Sequence, residues 1–297
     1  VMAVAKTPFN WVGNKFKFLN ELSSIVHGKQ YNRIIDLFMG SGNLLLNISA
    51  EATTYIGNDK IKLLPYIYNE LARKQYRYSL EDVENILNRF DRFSTKESYY
   101  TFRDYWNEKY LNNKFDRLFI IETILLLKMC SNSMVRFNPK QVYFNQGFRG
   151  LGKKSEFFTE TMKQSCVNEL NNVGELLATR NFKFANKDFL EFMDSTGDTQ
   201  KDLLIIDPPY MLQKDMYTMD WTAAHDTKLF DLLSNTKNDF IYFNYLVRDG
   251  VVNEELKQFI EDNKLTYKVI NSKTLSGQGR SENIREVQEV IVTNVQV

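Results

Sequence analysis

The chain has 297 residues, 43 % hydrophobic and 14 % aromatic, with five prolines and two cysteines. That composition excludes disordered and fibrous classes and can fill the core of one large α/β domain, or of a domain carrying an insertion. Lys and Arg number 38 against 37 Asp and Glu, a net charge of +1, so a polyanionic partner can be read only from how the charges are distributed.

Cys130 and Cys166, with two histidines in the chain, make neither a disulfide framework nor a metal-ligand cluster, so no metal is expected. No segment approaches the roughly 20 consecutive apolar residues of a membrane span. A reducing compartment, a soluble cytoplasmic protein and no membrane partner are the expectations.

Asn32-Arg-Ile-Ile-Asp-Leu-Phe38 predicts a strand, Met39-Gly-Ser-Gly42 a glycine turn and Asn43-Leu-Leu-Leu-Asn-Ile48 a helix. Thr53–Asn58 predicts a second strand ending at Asp59, and a helix follows from about Lys60 to Lys74. These βαβα units begin a parallel sheet. From Ser79, where Ser79-Leu-Glu-Asp82 resembles an N-cap, helical periodicity runs through Ile86, Phe90, Tyr100 and Phe102 to Leu118–Leu127. Turn residues between short apolar runs predict a hairpin over Arg136–Asn145, and another helix is expected over 155–179. The chain thus divides into an α/β domain of residues 1–75 and 181–297 and a mainly helical insertion of residues 76–180. Beyond it, Phe182–Ala185, Asp202–Ile206 and Asp239–Phe243 predict strands, with helices over 223–233 and 253–262. Leu265–Ile270 and Glu286–Thr293 predict two strands with no helix between them, hence an antiparallel pair. A mostly parallel Rossmann-like sheet with an antiparallel last strand suits the class I methyltransferase fold.

The basic residues are unevenly placed. Lys128 to Lys154 carries Lys128, Arg136, Lys140, Arg149, Lys153 and Lys154 with no acid, interleaved with Phe137, Tyr143, Phe144 and Phe148. Cations interleaved with stacking surfaces suit nucleic acid. Lys264, Lys268, Lys273 and Arg280 form a second unopposed run.

Two motifs carry chemistry. Gly40-Ser-Gly42 after a strand, with Asp59 at the end of the next, is how a nucleoside is held: backbone passes close beneath it and a carboxylate takes the ribose hydroxyls. Position 45, where a dinucleotide fingerprint needs glycine, is Leu45, and no phosphate-cradling lysine motif is present. S-adenosylmethionine, an adenosine without pyrophosphate, therefore fits better than NAD or ATP. The second motif, Leu203-Leu-Ile-Ile-Asp-Pro-Pro-Tyr210, places an acid, two prolines and an aromatic where a central strand ends. Pro208 and Pro209 lack N–H groups but keep fixed carbonyl acceptors. If the Asp207 carboxylate and Pro208 carbonyl accept both hydrogens of a planar NH2 group, its delocalised lone pair is freed to attack a methyl. Tyr210 can stack on the base, worth about 1–3 kcal/mol. The same chemistry serves adenine N6, cytosine N4, RNA or a protein amide, and a silent DNA-binding module of this fold is a further alternative.

Phe9-Asn-Trp-Val-Gly-Asn-Lys15, Asp36-Leu-Phe-Met-Gly-Ser-Gly42, Gly57-Asn-Asp59, Asn186-Lys-Asp188-Phe, Asp207-Pro-Pro-Tyr210 and Glu289-Val-Ile-Val-Thr-Asn294 resemble, in order, the motifs of Dam-type DNA adenine-N6 methyltransferases. The resemblance implies a class I methyltransferase fold and a flipped-out adenine as acceptor. It also implies that Trp11, Lys15, Asp59 and Asp207 contact the cofactor, that Asp36, Phe38, Gly40 and Asp188 line its pocket, and that Asp207, Pro208 and Tyr210 hold the adenine. Asp188 also suits a helix cap, and His27 and His225 are expected at the surface or in caps. Asn132-Ser-Met-Val-Arg-Phe-Asn138 resembles the family's recognition hairpin, with Arg136 matching a guanine-reading arginine and Asn132 a residue near the gap left by the flipped base. Ser131 stands where relatives often place an aromatic wedge, and Gly147-Phe-Arg149 replaces Pro-aromatic-Gly, so GATC is a first expectation among related sites. Asn138, Lys140, Arg149, Lys153, Lys154 and Arg280 are expected at the DNA, the basic ones on its phosphates. Duplex DNA is the expected partner, the protein is expected to be a monomer, and a cognate restriction endonuclease is compatible as a functional partner.

Overall fold

The computed structural model describes residues 5–296 except 12, 134, 136, 138–142, 210–220 and 277–283. Its strands are β1 (Gln30–Asp36), β2 (Glu51–Asn58), β3 (Phe182–Ala185), β4 (Leu203–Ile206), β5 (Asp239–Arg248), β6 (Val251–Val252), β7 (Thr266–Ser276) and β8 (Ile284–Thr293). They form one sheet in the order β3-β2-β1-β4-β5-β8-β7, with β6 beside β5. The first five pair in parallel, and β8 joins β5, and β7 joins β8, antiparallel.

Strand pleating explains why both faces are covered. On one side Ile34, Leu203, Ile205, Ile241, Phe243 and Ile291 enter one core. On the other, Ile35, Leu204, Ile206, Phe240, Tyr242, Val290 and Val292 enter a second. Strands buried on both faces read as continuous apolar runs, which is why Leu203-Leu-Ile-Ile206 stood out. The helices flanking the sheet are α1 (Leu19–Ile25), α2 (Asn43–Asn47), α3 (Leu63–Lys74), α8 (Phe189–Thr196), α9 (Ala223–Asn235) and α10 (Glu254–Asp262).

Between β2 and β3 lie α4 (Leu80–Arg89), α5 (Lys96–Leu111), α6 (Arg117–Met129) and α7 (Glu160–Leu177). Each start has a local cause. Ser79 and Asp82 form a capping box on α4, Thr95 caps α5, and Asp116 accepts the Phe119 N–H at 2.8 Å on α6. Phe119 to Leu127 of α6 are all buried, and the core here is continuous with that of the sheet's adjoining face.

Some boundaries differ from expectation. α7 begins at Glu160 rather than 155, because Thr159 caps it and the preceding Phe157 and Phe158 are drawn into the aromatic core. β7 and β8 run beyond their apolar segments, pairing Asn271–Ser276 with Ile284–Glu289 in an antiparallel ladder. Helix α1 had no counterpart among the sequence expectations.

Candidate active site at the carboxyl ends of β1, β2 and β4

The chain leaves β1 toward β2 on one side and β4 toward β5 on the other, which opens a crevice at the carboxyl ends of the strands. Asp36 ends β1, Asp59 follows β2 and Asp207 follows β4, so adjacent strands deliver three acids to one rim. Trp11, Lys15, Asp36, Phe38, Gly40, Asp59, Asp188, Asp207, Pro208 and Pro209 all line a single pocket there.

Glycine at position 40 is a geometric necessity. Its φ is +51°, and an added Cβ would stand 3.1 Å from Cδ1 of Trp11, which covers the turn. Asp59 braces the same turn, one carboxylate oxygen accepting the Gly40 N–H and the other the Ile61 N–H, each at 2.9 Å. Burial pushes the Asp59 carboxyl up to about 6 against the pull of those two donors. Burial, reinforced by the charges of Asp207 and Asp59, raises Asp36 well above the usual carboxylate range, although the Phe38 N–H opposes it.

Lys15 is 5 % exposed. Its ammonium lies 3.2 Å from Asp207, 3.3 Å from Glu289 and 2.8 Å from the Gly13 carbonyl. Burial favours the neutral amine, but the two carboxylates outweigh it and hold Lys15 above its ordinary value. Asp207 therefore sits beside a fixed positive charge at the strand end.

Phe38 meets Phe189 at 5.3 Å and Trp221 edge-on at 5.5 Å, forming an aromatic wall. His225 stacks on Trp221 at 5.1 Å while its Nδ1 accepts the Thr222 N–H, so the expected cap is also part of the pocket lining. Asp188 caps α8 through the Leu190 N–H at 3.0 Å and lines the pocket as well. His27 is exposed.

The sequence reading did not single out Glu289, Trp221, Phe189 or Asn58. Glu289, Phe189 and Asn58 stood within quoted motifs without a role of their own, and the signal of Glu289 is an acid directly before the run Val290-Ile-Val292. Asn58 is buried and donates to the carbonyls of Leu37 and Lys187 while accepting the Lys187 N–H, so it ties three site loops together. Trp221 carried no spacing signal.

The DNA-facing expectations are spread over the insertion and the last ribbon. Arg149, Lys153 and Lys154 are exposed, with Arg149 hydrogen-bonded to Ser133. Asn132 lies in a single 3-10 turn over Ser131–Ser133. Tyr210, Arg136, Asn138, Lys140 and Arg280 lie outside the described residues. Phe137 pairs antiparallel with Phe144, in keeping with the expected hairpin. Among the described residues no cluster of His, Cys, Asp and Glu could hold a metal, and no helix is long and apolar enough to cross a membrane.

The type II methyltransferase M.FokI of Planomicrobium okeanokoites is 27 % identical over 97 % of this chain, and the modification methylase StsI of Streptococcus sanguinis is 25 % identical over 97 %. The chain spans 43 % of the length of each. Among solved structures, a precorrin-6y C5,15-methyltransferase of Geobacter metallireducens aligns over 93 % of this chain and 86 % of its own at 8 % identity and a TM-score of 0.34. The mostly parallel sheet with its antiparallel last strands is the arrangement expected of a class I methyltransferase. From Trp11, over the glycine turn, to the strand bearing Glu289, residues 11–291 match one family throughout, and the chain belongs to the D12 class N6 adenine-specific DNA methyltransferases.

Proposed function

We propose that this chain transfers a methyl group from S-adenosylmethionine to N6 of an adenine flipped out of duplex DNA. The observation that carries the reading is that the Asp207-Pro208-Pro209 corner opens into the same pocket as Asp36, Gly40 and Asp59. The pocket's residues fit the donor. The bare Gly40 turn beneath Trp11 has no room for a side chain, the Asp59 carboxylate can accept ribose hydroxyls, and the aromatic wall suits a purine face. When bound, the donor supplies an electrophilic methyl carbon.

This chain's residues do the rest. Asp207 and the Pro208 carbonyl accept the two amine hydrogens, concentrating the nitrogen lone pair; as the N–C bond forms the sulfonium S–C bond breaks, the neutral thioether leaves, and the surplus amine proton passes by way of the Asp207 carboxylate to solvent. Lys15 holds the Asp207 carboxylate in place, and Tyr210 supplies the stacking face. Flipping costs a few kcal/mol of pairing and stacking. Residues 76–180 are proposed as the target-recognition unit that offsets it, with residues 1–75 and 181–297 as the catalytic unit. Arg136 reads a guanine, worth about 1–3 kcal/mol of discrimination. Asn132 stands near the gap left by the flipped base and Asn138 at the DNA, while Lys140, Arg149, Lys153, Lys154 and Arg280 contact phosphates. GATC or a related adenine-containing site is the proposed target, and a restriction–modification setting agrees with what the relatives are called.

The test is to incubate plasmid with methyl-labelled donor and digest it to nucleosides. N6-methyladenine is expected, and Asp207→Ala should abolish labelling while DNA affinity stays within about threefold. Label in N4-methylcytosine, or full activity in the variant, would overturn the proposal.

A further inference from the structure

The loop from Cys130 to Phe148 is closed at its base by pairing of those two residues and further out by Phe137 with Phe144. The Ser131 N–H donates to the Gly147 carbonyl at 2.8 Å, and the Arg149 N–H to Met129 at 2.8 Å. Helix α5 meets this loop along one line. Tyr99, Arg103 and Asn107 are spaced four residues apart and so lie on one face of the helix. All three bond to backbone of the returning arm.

Asn107 makes a two-way contact. Its Oδ1 accepts the Phe144 N–H at 2.8 Å and its Nδ2 donates to the Phe144 carbonyl at 3.0 Å. It thereby offers the donor and acceptor that a neighbouring strand would offer. Tyr99 OH and Arg103 Nη1 donate to the Gln146 carbonyl at 2.8 and 3.1 Å. Below these bonds lies an aromatic floor, with Tyr110 stacked on Phe137 at 4.8 Å and Trp106 edge-on to Phe144 at 5.7 Å. The hydrophobic burial of these rings is non-directional and changes little with a small slide, whereas paired hydrogen bonds lock a single register. A one-residue slip at Phe144 would turn the side chains of the returning arm to the opposite face. A bidentate arginine–guanine contact tolerates no such slip.

We propose that α5 sets the register of the target-reading hairpin, with Asn107 as its main positioning residue and Tyr99 and Arg103 in support, so that this helix governs which base sequence is methylated. The inference rests on the DNA-methylating reading above. Asn107 and Phe144 are both buried, so truncating the amide leaves a backbone N–H and C=O without partners away from water.

The test compares wild type with Asn107→Ala and Tyr99→Phe on duplexes carrying the site found by sequencing methylated DNA, and on duplexes altered at one base of it. Asn107→Ala should raise the KM for cognate DNA and lower the cognate to altered-site ratio of kcat/KM, each by about tenfold. The kcat at saturating DNA and the affinity for S-adenosylmethionine should stay within about threefold. Tyr99→Phe keeps the ring stacked on Phe148 at 5.0 Å and deletes only the hydroxyl. It should lower the ratio about threefold without changing the thermal midpoint by more than about 3 °C. If Asn107→Ala fails to fold, Tyr99→Phe decides. Discrimination equal to wild type in a folded variant overturns this inference alone. A wild-type chain that neither binds nor methylates DNA overturns the functional reading and this inference with it.

Discussion

Replacing Glu289 by Gln tests the charge arrangement behind Asp207. The wild-type Lys15 ammonium is shared by Asp207 at 3.2 Å, Glu289 at 3.3 Å and the Gly13 carbonyl. Glutamine keeps an acceptor oxygen but deletes one of the two charges that outweigh the burial of Lys15. A charged hydrogen bond contributes about 1.5–3 kcal/mol and a neutral one about 0.5–1.5, so E289Q should cost about 1–2 kcal/mol at neutral pH. Glu289→Ala, which empties the site, should cost about 3–5 kcal/mol. The pH dependence has a definite sign. Wild-type Lys15 is held above its ordinary 10.5, so its contribution is complete below that value and fades only at higher pH. In E289Q, burial is opposed by Asp207 alone and the folded lysine loses its proton more readily than in wild type, which relieves the cost of its buried charge, so the deficit should be largest at neutral pH and narrow as pH rises toward 10.5. Urea unfolding of both proteins at pH 7.5 and 9.5 measures this. A difference below about 0.5 kcal/mol at both pH values would refute the idea that two carboxylates hold the buried lysine charged.

Gly57→Ala should destabilise the chain by about 1–3 kcal/mol, because the new methyl would stand 2.8 Å from Met39 Sδ and 3.0 Å from both Leu45 and Phe184; an unchanged thermal midpoint would contradict it. Asp59, with its carboxyl pushed up to about 6, should make S-adenosylmethionine affinity flat above about pH 7 and progressively weaker as pH falls through 6. Calorimetric titration from pH 5 to 8 checks this, and a flat profile would remove the carboxylate from ribose binding. Changing exposed Lys153 and Lys154 to Ala should make the log–log slope of DNA affinity against salt shallower by about 2 without altering site preference, and an unaltered slope would show that neither touches phosphate.

The chain by itself determined the parts whose cause is local. Leu203-Leu-Ile-Ile206 is a buried strand because both pleat faces are apolar, and the Pro-Pro pair must end it because neither residue can donate to a ladder. The glycine turn needs a residue without a side chain, and the final strands must be antiparallel because no crossover separates them. Residues meeting across the fold left no such trace. Lys15 is drawn between Asp207 and Glu289 from three distant elements, and Trp221 closes the wall on Phe38 from the far side of β4. Asn107 belongs to no motif of the sequence, and its partners are set where the returning arm lies against α5. Periodicity shows which face of an element is buried. Only the assembled sheet and insertion decide which buried polar groups meet, because a hydrogen bond or ion pair depends on ångström distances between segments that no local pattern encodes.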